Sequence, residues 1–209
     1  MMNTKFRLTD ESKMQDGVQV FRIEALVDFN DVRAGELGGF VEKEENLSFR
    51  PDDPSWVYDE SVVYGEGFVR DHSFVDGNSI VKDSRIMEQS TISHGSKVDD
   101  SQVRSSNVAN GQVVGSSLYA SAVVEESLVK GSEIGHTKVE NGSEVSASSV
   151  QYSTLVNDAK IHESSVFDSQ LDDEWVVDQD LRSHNNDSSF QDDLDALAEW
   201  EQESKGDQL

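Results

Sequence analysis

The sequence has no cysteine among its 209 residues, so it can form neither a disulfide nor a thiolate metal site, and it lacks a cysteine nucleophile. Hydrophobic residues make up 35% of it, which is low for a globular domain, and it has only two prolines. No stretch approaches the roughly 18 apolar residues of a membrane-spanning helix, and the first residues lack the apolar segment of a secretory signal. We therefore expect a cytoplasmic protein, in the host cytoplasm if a phage encodes it.

Basic residues are scarce as well. The chain has 17 Lys and Arg against 42 Asp and Glu, a net charge of −25. Such a chain should repel nucleic acid and anionic membranes, so we expect it to bind neither directly. The charge serves either to keep a long, thin protein soluble or to attract a basic partner.

The chain is rich in one short repeat between residues 57 and 176: a small residue, any residue, then an aliphatic one. Of the 22 steps between the aliphatic residues, nine span six residues and 13 span five. The residue two before the aliphatic is Ser, Gly, Ala or Thr in 21 of 23 cases, the exceptions being Glu126 and Glu174. The aliphatic residues are Val57, Val63, Val69, Val75, Val81, Ile86, Ile92, Val98, Val103, Val108, Val113, Leu118, Val123, Leu128, Ile134, Val139, Val145, Val150, Leu155, Ile161, Val166, Leu171 and Val176.

Steps of five and six rotate an α-helix away from any single face, and the period is too short for a helical solenoid. The repeat therefore predicts an all-β solenoid in which each unit is a short strand and a corner. The sixes from Val57 to Val81 favour a left-handed parallel β-helix of about seven three-sided coils. The fives from Val98 to Leu128 suit a four-sided, pentapeptide-type helix, which is the alternative.

The flanking segments predict a small β-rich cap and linker over residues 1–56, before a solenoid over residues 57–177. Asp16-Gly17 indicates a turn, and the run from Val18 to Val27 indicates a strand. A cap would protect the edges of the first coil. The cap, or alternatively a subunit interface, would also cover outward-facing apolar side chains beside the core positions, namely Val62, Phe68, Phe74 and Ile80.

Residues 178–209 predict an acidic linker followed by a short amphipathic helix over 189–203. Its apolar face has the spacing i, i+4, i+7, and acidic residues begin it. The helix is either a lid on the last coil or an acidic peptide that docks into a partner's groove. The candidate partner-binding residues are Phe190, Leu194, Leu197, Trp200, Asp192, Asp193 and Asp195.

The N-terminal stretch FRIEALVDFNDVRAGELGGFVEKEENLS, followed by SWVYDESVVYGEG, resembles a group of bacterial and phage hexapeptide-repeat proteins. These are proteins of the YdcK type, catalogued as acetyltransferases. The likeness covers about residues 5–66 and extends more loosely to residue 176. The resemblance implies a left-handed β-helix behind a small N-terminal domain, but a fold does not by itself carry an activity.

Hexapeptide-repeat acyltransferases use a histidine base and usually a loop extruded from the helix. No step of the repeat exceeds six residues, so the sequence predicts no such loop. His136 is the best candidate base, although it is expected to be an exposed surface histidine. The histidine spacings fit no whole number of coils, so we expect no metal site and no cofactor.

The sequence favours a non-catalytic interaction protein whose rows of carboxylates mimic DNA. Its partner would be a basic, nucleic-acid-binding host protein, which the chain binds or inhibits. The alternatives are a hexapeptide-repeat acyltransferase acting as a homotrimer and a structural phage component. A dimer and a trimer both remain open.

Overall fold

The computed structural model describes residues 3–50 and 52–182, and these form an all-β, parallel β-solenoid. The predicted helix over 189–203 and its seven candidate partner-binding residues lie outside the described residues. Within them, one short 3-10 helix occurs at Glu44–Asn46, and no helix is long and apolar enough to cross a membrane.

Twenty-seven strands make up the fold, most of them three residues long. They are β1 Phe6–Gln15, β2 Val18–Ala25, β3 Leu37–Val41, β4 Trp56–Val57, β5 Val62–Tyr64, β6 Phe68–Val69, β7 Phe74–Val75, β8 Ile80–Lys82, β9 Arg85–Met87, β10 Thr91–Ser93, β11 Lys97–Asp99, β12 Gln102–Arg104, β13 Asn107–Ala109, β14 Gln112–Val114, β15 Ser117–Tyr119, β16 Ala122–Val124, β17 Leu128–Lys130, β18 Glu133–Gly135, β19 Lys138–Val139, β20 Glu144–Ser146, β21 Ser149–Gln151, β22 Thr154–Val156, β23 Lys160–His162, β24 Ser165–Phe167, β25 Gln170–Asp172, β26 Trp175–Val177 and β27 Asp180–Arg182.

From β4 onwards every third strand pairs in parallel, so the solenoid is three-sided and the four-sided alternative is wrong. Sheet 1 runs from β4 through β7 to β25, sheet 2 from β5 through β8 to β26, and sheet 3 from β6 through β9 to β27. The 24 strands from β4 to β27 make about eight turns, one more than predicted. The ladder gains a step because Leu181 extends it past Val176.

From β4 to β26 the core is a column of one buried aliphatic side chain from each strand, as predicted, with one correction; Leu181 of β27 is half-buried. Leu128 is only half-buried, whereas Val129 is fully buried and pairs with Val113. The residue two before Val129 is Ser127, so the apparent exception at Glu126 disappears. Because Leu128 and Val129 are both aliphatic, the sequence does not show which of them faces the core. Only the stacking of this strand on the preceding turn decides the register.

From Val69 onwards, every six-residue corner has two left-handed residues and every five-residue corner has one, which is how the two step lengths coexist. The two six-residue corners before Val69 have one left-handed residue each. The five-residue corner between Val98 and Val103 has a single residue with positive φ, Asp100 at 47°. The six-residue corner between Val123 and Val129 has two, Glu125 at 56° and Glu126 at 66°. A coil therefore shortens from 18 residues, between Val57 and Val75, to 15 or 16 without losing a side.

The small residue of the repeat is a buried serine in most turns, and its hydroxyl links neighbouring coils. The amide of Ser116 donates to Oγ of Ser101 at 3.1 Å, and the amide of Ser132 donates to Oγ of Ser116 at 3.1 Å. Each hydroxyl also donates to a carbonyl of its own corner, as Ser116 does to Val114 at 2.8 Å. A corner amide that the β-ladders leave without a partner is thereby satisfied.

The N-terminal hairpin covers the first turns. β1 and β2 pair in antiparallel fashion around the predicted turn at Asp16-Gly17, and β3 pairs in parallel with β5, so the hairpin extends sheet 2. Val20 of β2 and Phe40 of β3 pack on Val62 and Ile80. The cap therefore covers Val62 and Ile80, as predicted. Phe68 and Phe74 stay half-buried; the guanidinium of Arg70 lies 4.9 Å from the Phe68 ring centre.

A buried lysine fastens residues 47–56 to the cap. Nζ of Lys5 donates to the carbonyl oxygens of Asp53 at 2.6 Å and Ser55 at 2.7 Å. Burial lowers the pKa of Lys5 to about 8, although the negative charge of Asp53 acts to raise it. The carboxylate of Asp53 accepts hydrogen bonds from the amides of Asp71 and His72, which binds this segment to the first complete turn.

Candidate functional site

The charges of the solenoid are sorted among its three edges. We name the corner from sheet 1 to sheet 2 the acidic edge, that from sheet 2 to sheet 3 the mixed edge, and that from sheet 3 to sheet 1 the aromatic edge. Between the buried aliphatic residues from Val57 to residue 182, the acidic edge carries 11 acidic and two basic side chains. The mixed edge carries eight acidic and three basic side chains, and the aromatic edge carries three acidic and four basic side chains.

The acidic edge is most densely charged in its last four turns. Eight of its 11 carboxylates lie there, against one lysine. With turns about 4.8 Å apart, this is about one carboxylate per 2.4 Å of axis, while duplex DNA carries one charge per about 1.7 Å. The eight residues are Glu125, Glu126, Glu140, Glu144, Asp158, Asp172, Asp173 and Glu174.

The local chain geometry explains why this edge projects its side chains. From Ile92 onwards, every six-residue step lies at the acidic edge, so its corners are the widest of the coil. Glu125 and Glu126 occupy successive left-handed positions, as do Asn157 and Asp158. Both side chains of such a pair lie on the outside of the corner, and all four of these residues are exposed or half-buried.

Hydrogen bonds order part of this edge. Nδ2 of Asn141 donates to Oδ1 of Asn157 at 3.3 Å, and Nδ2 of Asn157 donates to Oδ1 of Asp172 at 2.8 Å. Glu140 forms an ion pair with Lys138. Among the residues described, no ion pair engages Glu125 or Glu126, so their charges face solvent.

The first turns of the same edge form a cleft of about 640 Å³ beneath the loop at residues 30–31. Carboxylates of Asp31, Asp59 and Asp76 line it, with the rings of Tyr58 and Phe74, whose centres are 6.1 Å apart. The Tyr58 hydroxyl donates to Oδ1 of Asp31 at 2.8 Å. This combination of carboxylates and aromatic surface suits an ammonium or guanidinium group.

The aromatic edge presents a continuous stack over four turns. The rings of His136 and Tyr152 are parallel with centres 4.8 Å apart. Tyr119 packs edge-on against His136 at 5.3 Å, and Phe167 packs edge-on against Tyr152 at 5.3 Å. The exposed fractions are 46% for Tyr119, 54% for Tyr152 and 43% for Phe167, which leaves a large aromatic surface in solvent.

His136, the candidate base, is therefore a member of an aromatic stack on an exposed corner. His72, His94 and His162 are exposed as well, and His184 lies outside the described residues. In the part of the chain that the structure describes, no group of three or more metal-ligating side chains could hold an ion.

Sequence reasoning missed the sorting of charge by edge and the aromatic stack. The signal was present, because every third step of the ladder belongs to the same edge. To assign each charged residue to an edge, the number of sides of the coil and the register at Val129 must be known. The sequence alone left the number of sides open. No family model matches this sequence, and no curated protein matches it.

Proposed function

We propose that this chain is a non-catalytic interaction protein that binds a basic, nucleic-acid-binding protein through its acidic edge. The observation that carries this proposal is the sorting of charge. Eleven carboxylates against two cations follow one edge, while another edge of the same coil is close to neutral. If the carboxylates served solubility alone, they would be expected on all three edges of the solenoid.

The spacing of these charges favours a partner that normally binds DNA. Over the last four turns of the acidic edge, carboxylates at about 2.4 Å intervals present a charge density of the same order as a duplex. The parallel ladders hold the backbone of these corners in place, so the partner need not order that backbone on binding. Less conformational entropy is lost as a result.

The cleft beneath residues 30–31 adds a specific contact at the other end of the edge. We propose that it receives a lysine or arginine side chain of the partner, between the carboxylates and the Tyr58 ring. Burial raises the pKa of Asp76, so its charge is poorly solvated before binding. A cation placed there would stabilise the ionised form.

The surroundings of His136 support a non-catalytic function. One face of its imidazole is stacked on Tyr152, and the ring of Tyr119 packs against it. Assignment of the N-terminal segment to the YdcK type remains a proposal resting on its residues and on the solenoid. Since that resemblance includes phage proteins, we propose a phage origin and a host protein as the partner.

The test is capture of proteins from a lysate of the source cells, followed by elution with duplex DNA. We expect a basic nucleic-acid-binding protein that DNA releases and that salt weakens. The variant Glu125→Gln, Glu126→Gln, Asp158→Asn, Asp173→Asn removes four charges from the acidic edge. It should reduce capture of this protein at least tenfold.

The matched control removes four charges from the mixed edge: Asp100→Asn, Glu133→Gln, Glu163→Gln, Asp178→Asn. It should retain most of the capture, although both variants have the same net charge. Equal losses in the two variants, or a captured protein that DNA does not release, would overturn the proposal. So would turnover of acetyl-CoA that disappears in His136→Ala.

A further inference from the structure

The aromatic edge is a second surface, separate from the acidic one. Its stack covers four consecutive turns, and with Arg104 on the turn before, the stripe is about 20 to 24 Å long. Isolated exposed aromatic residues are ordinary on protein surfaces, but a continuous stripe of them indicates an interaction site.

The orientation of the rings limits what can bind. His136 and Tyr152 lie 4° from parallel, so each covers a face of the other. Tyr119 and Phe167 close the ends of the stack with interplanar angles of 86° and 68°. Sugars and nucleobases stack on open ring faces, whereas the two central rings of this stripe each have one face covered by the other. It suits a protein surface better.

The charges on this edge exclude an acidic partner, because its four basic residues are already paired within the chain. One of the pairs joins neighbouring turns, and the other three join residues one or two positions apart in sequence. They are Arg70 with Asp71 at 3.0 Å, Arg104 with Glu88 at 3.3 Å, Lys138 with Glu140, and Arg182 with Asp180 at 3.6 Å. The stripe is thus close to electrically neutral and has no surplus cation to offer.

We propose that a second copy of this chain binds here, aromatic edge to aromatic edge. At a net charge of −25 two copies repel each other, and the acidic and mixed edges make that repulsion strongest. Only the aromatic edge, with three acidic and four basic side chains, lets two copies approach without juxtaposing like charges. Self-complementary aromatic stripes would then meet across a two-fold axis.

The two solenoids run antiparallel in this dimer. An antiparallel pair places Asp178 and Asp180 of the two copies at opposite ends. It also sets His136 near its own copy, Tyr119 opposite Tyr152, and Arg104 opposite Phe167. A parallel pair would instead set Arg104 against Arg104 and bring Asp178 and Asp180 of one copy close to those of the other, which like-charge repulsion disfavours.

The test is sedimentation velocity of the full chain over a concentration series, at about 50 mM and about 500 mM salt. We expect a monomer–dimer equilibrium that tightens severalfold at high salt, because screening relieves the repulsion. Partner binding through the acidic edge should weaken under the same change, so the two surfaces are distinguishable by the sign of their salt dependence.

Tyr152→Glu should weaken the dimer at least tenfold, because it sets a carboxylate in the stripe, while Tyr152→Phe should preserve it. The control is Trp175→Glu on the outside of sheet 2, where the side chain is 74% exposed. Circular dichroism would verify that each variant is folded. A monomer at all concentrations up to about 0.5 mM, a trimer, or equal effects of Tyr152→Glu and Trp175→Glu would overturn the proposal.

Discussion

The acidic and aromatic edges are corners of the same coil, formed by the same repeat, yet they differ beneath the surface as well as on it. Under the aromatic edge an unbroken column of Ser and Thr hydroxyls links every turn from Ser55 to Ser169. Under the acidic edge the column is interrupted at Gly111 and Ala159, and Oγ of Ser127 has no partner.

The comparison distinguishes the features that hold the fold together from the outer corner residues that give each edge its surface. The aliphatic column and the parallel ladders continue past both edges without change. The acidic edge tolerates a wider corner and missing hydroxyls, because the ladders on either side still hold each coil. The outer corner residues are therefore free to carry function, as exposed loops do in other folds.

The largest effect is expected for Asp53, whose carboxylate accepts hydrogen bonds from the amides of Asp71 and His72 at the aromatic edge. Burial opposes ionisation of Asp53, but hydrogen bonds from the Ser55 hydroxyl and from the His72 and Asp71 amides outweigh it and hold its pKa well below the usual range. Asp53→Asn should lower the free energy of unfolding by about 3 kcal/mol at neutral pH, because buried amides lose a charged acceptor. Chemical denaturation would measure this.

The sign of the pH dependence should be opposite at Asp53 and at Asp76. The stabilisation from Asp53 is present above a pH of about 4 and is lost as the pH falls towards its lowered folded pKa. At the acidic edge, burial raises the pKa of Asp76, so its ionised form opposes folding, and acidification through that pKa relieves the cost. Asp76→Asn should be neutral or stabilising at pH 7; a loss comparable with that of Asp53→Asn would contradict the assignment.

A smaller effect should separate the two hydroxyl columns. Oγ of Ser121 accepts the Thr137 amide at 3.2 Å and donates to the Tyr119 carbonyl at 2.8 Å. Ser121→Ala should therefore destabilise the fold by about 1 to 2 kcal/mol, because a buried amide is left without a partner. Ser127→Ala, at the partnerless hydroxyl, should change the midpoint of denaturation little. Equal losses would show that the columns do not differ.

The smallest effect concerns the left-handed corner positions. Ala120 has a φ of 48°, a conformation that a Cβ disfavours, whereas Asn110 at 53° is of a type that tolerates it. Ala120→Gly should raise the free energy of unfolding by about 0.5 kcal/mol, and Asn110→Gly should leave it nearly unchanged. Thermal denaturation of the two variants side by side would resolve the difference. A decrease for Ala120→Gly would contradict this account of the corners.

The repeat alone was enough to predict the solenoid and its buried column, because the small–any–aliphatic period allows few other folds. It could not decide between three and four sides, since the number of left-handed residues at a corner absorbs the difference between five and six. Leu128 was misplaced because two adjacent aliphatic residues satisfy the pattern equally well. The difference in charge between the edges could be recognised only after the structure showed that every third strand stacks in one sheet.

The most direct test of the acidic edge is carboxyl labelling with a water-soluble carbodiimide, read by mass spectrometry, with and without the DNA-eluted partner. The account predicts protection of Glu125, Glu126, Asp158 and Asp173, with Asp100, Glu133 and Glu163 on the mixed edge labelled as in the free protein. Protection of the mixed edge to the same degree, or no protection of the acidic edge, would contradict it.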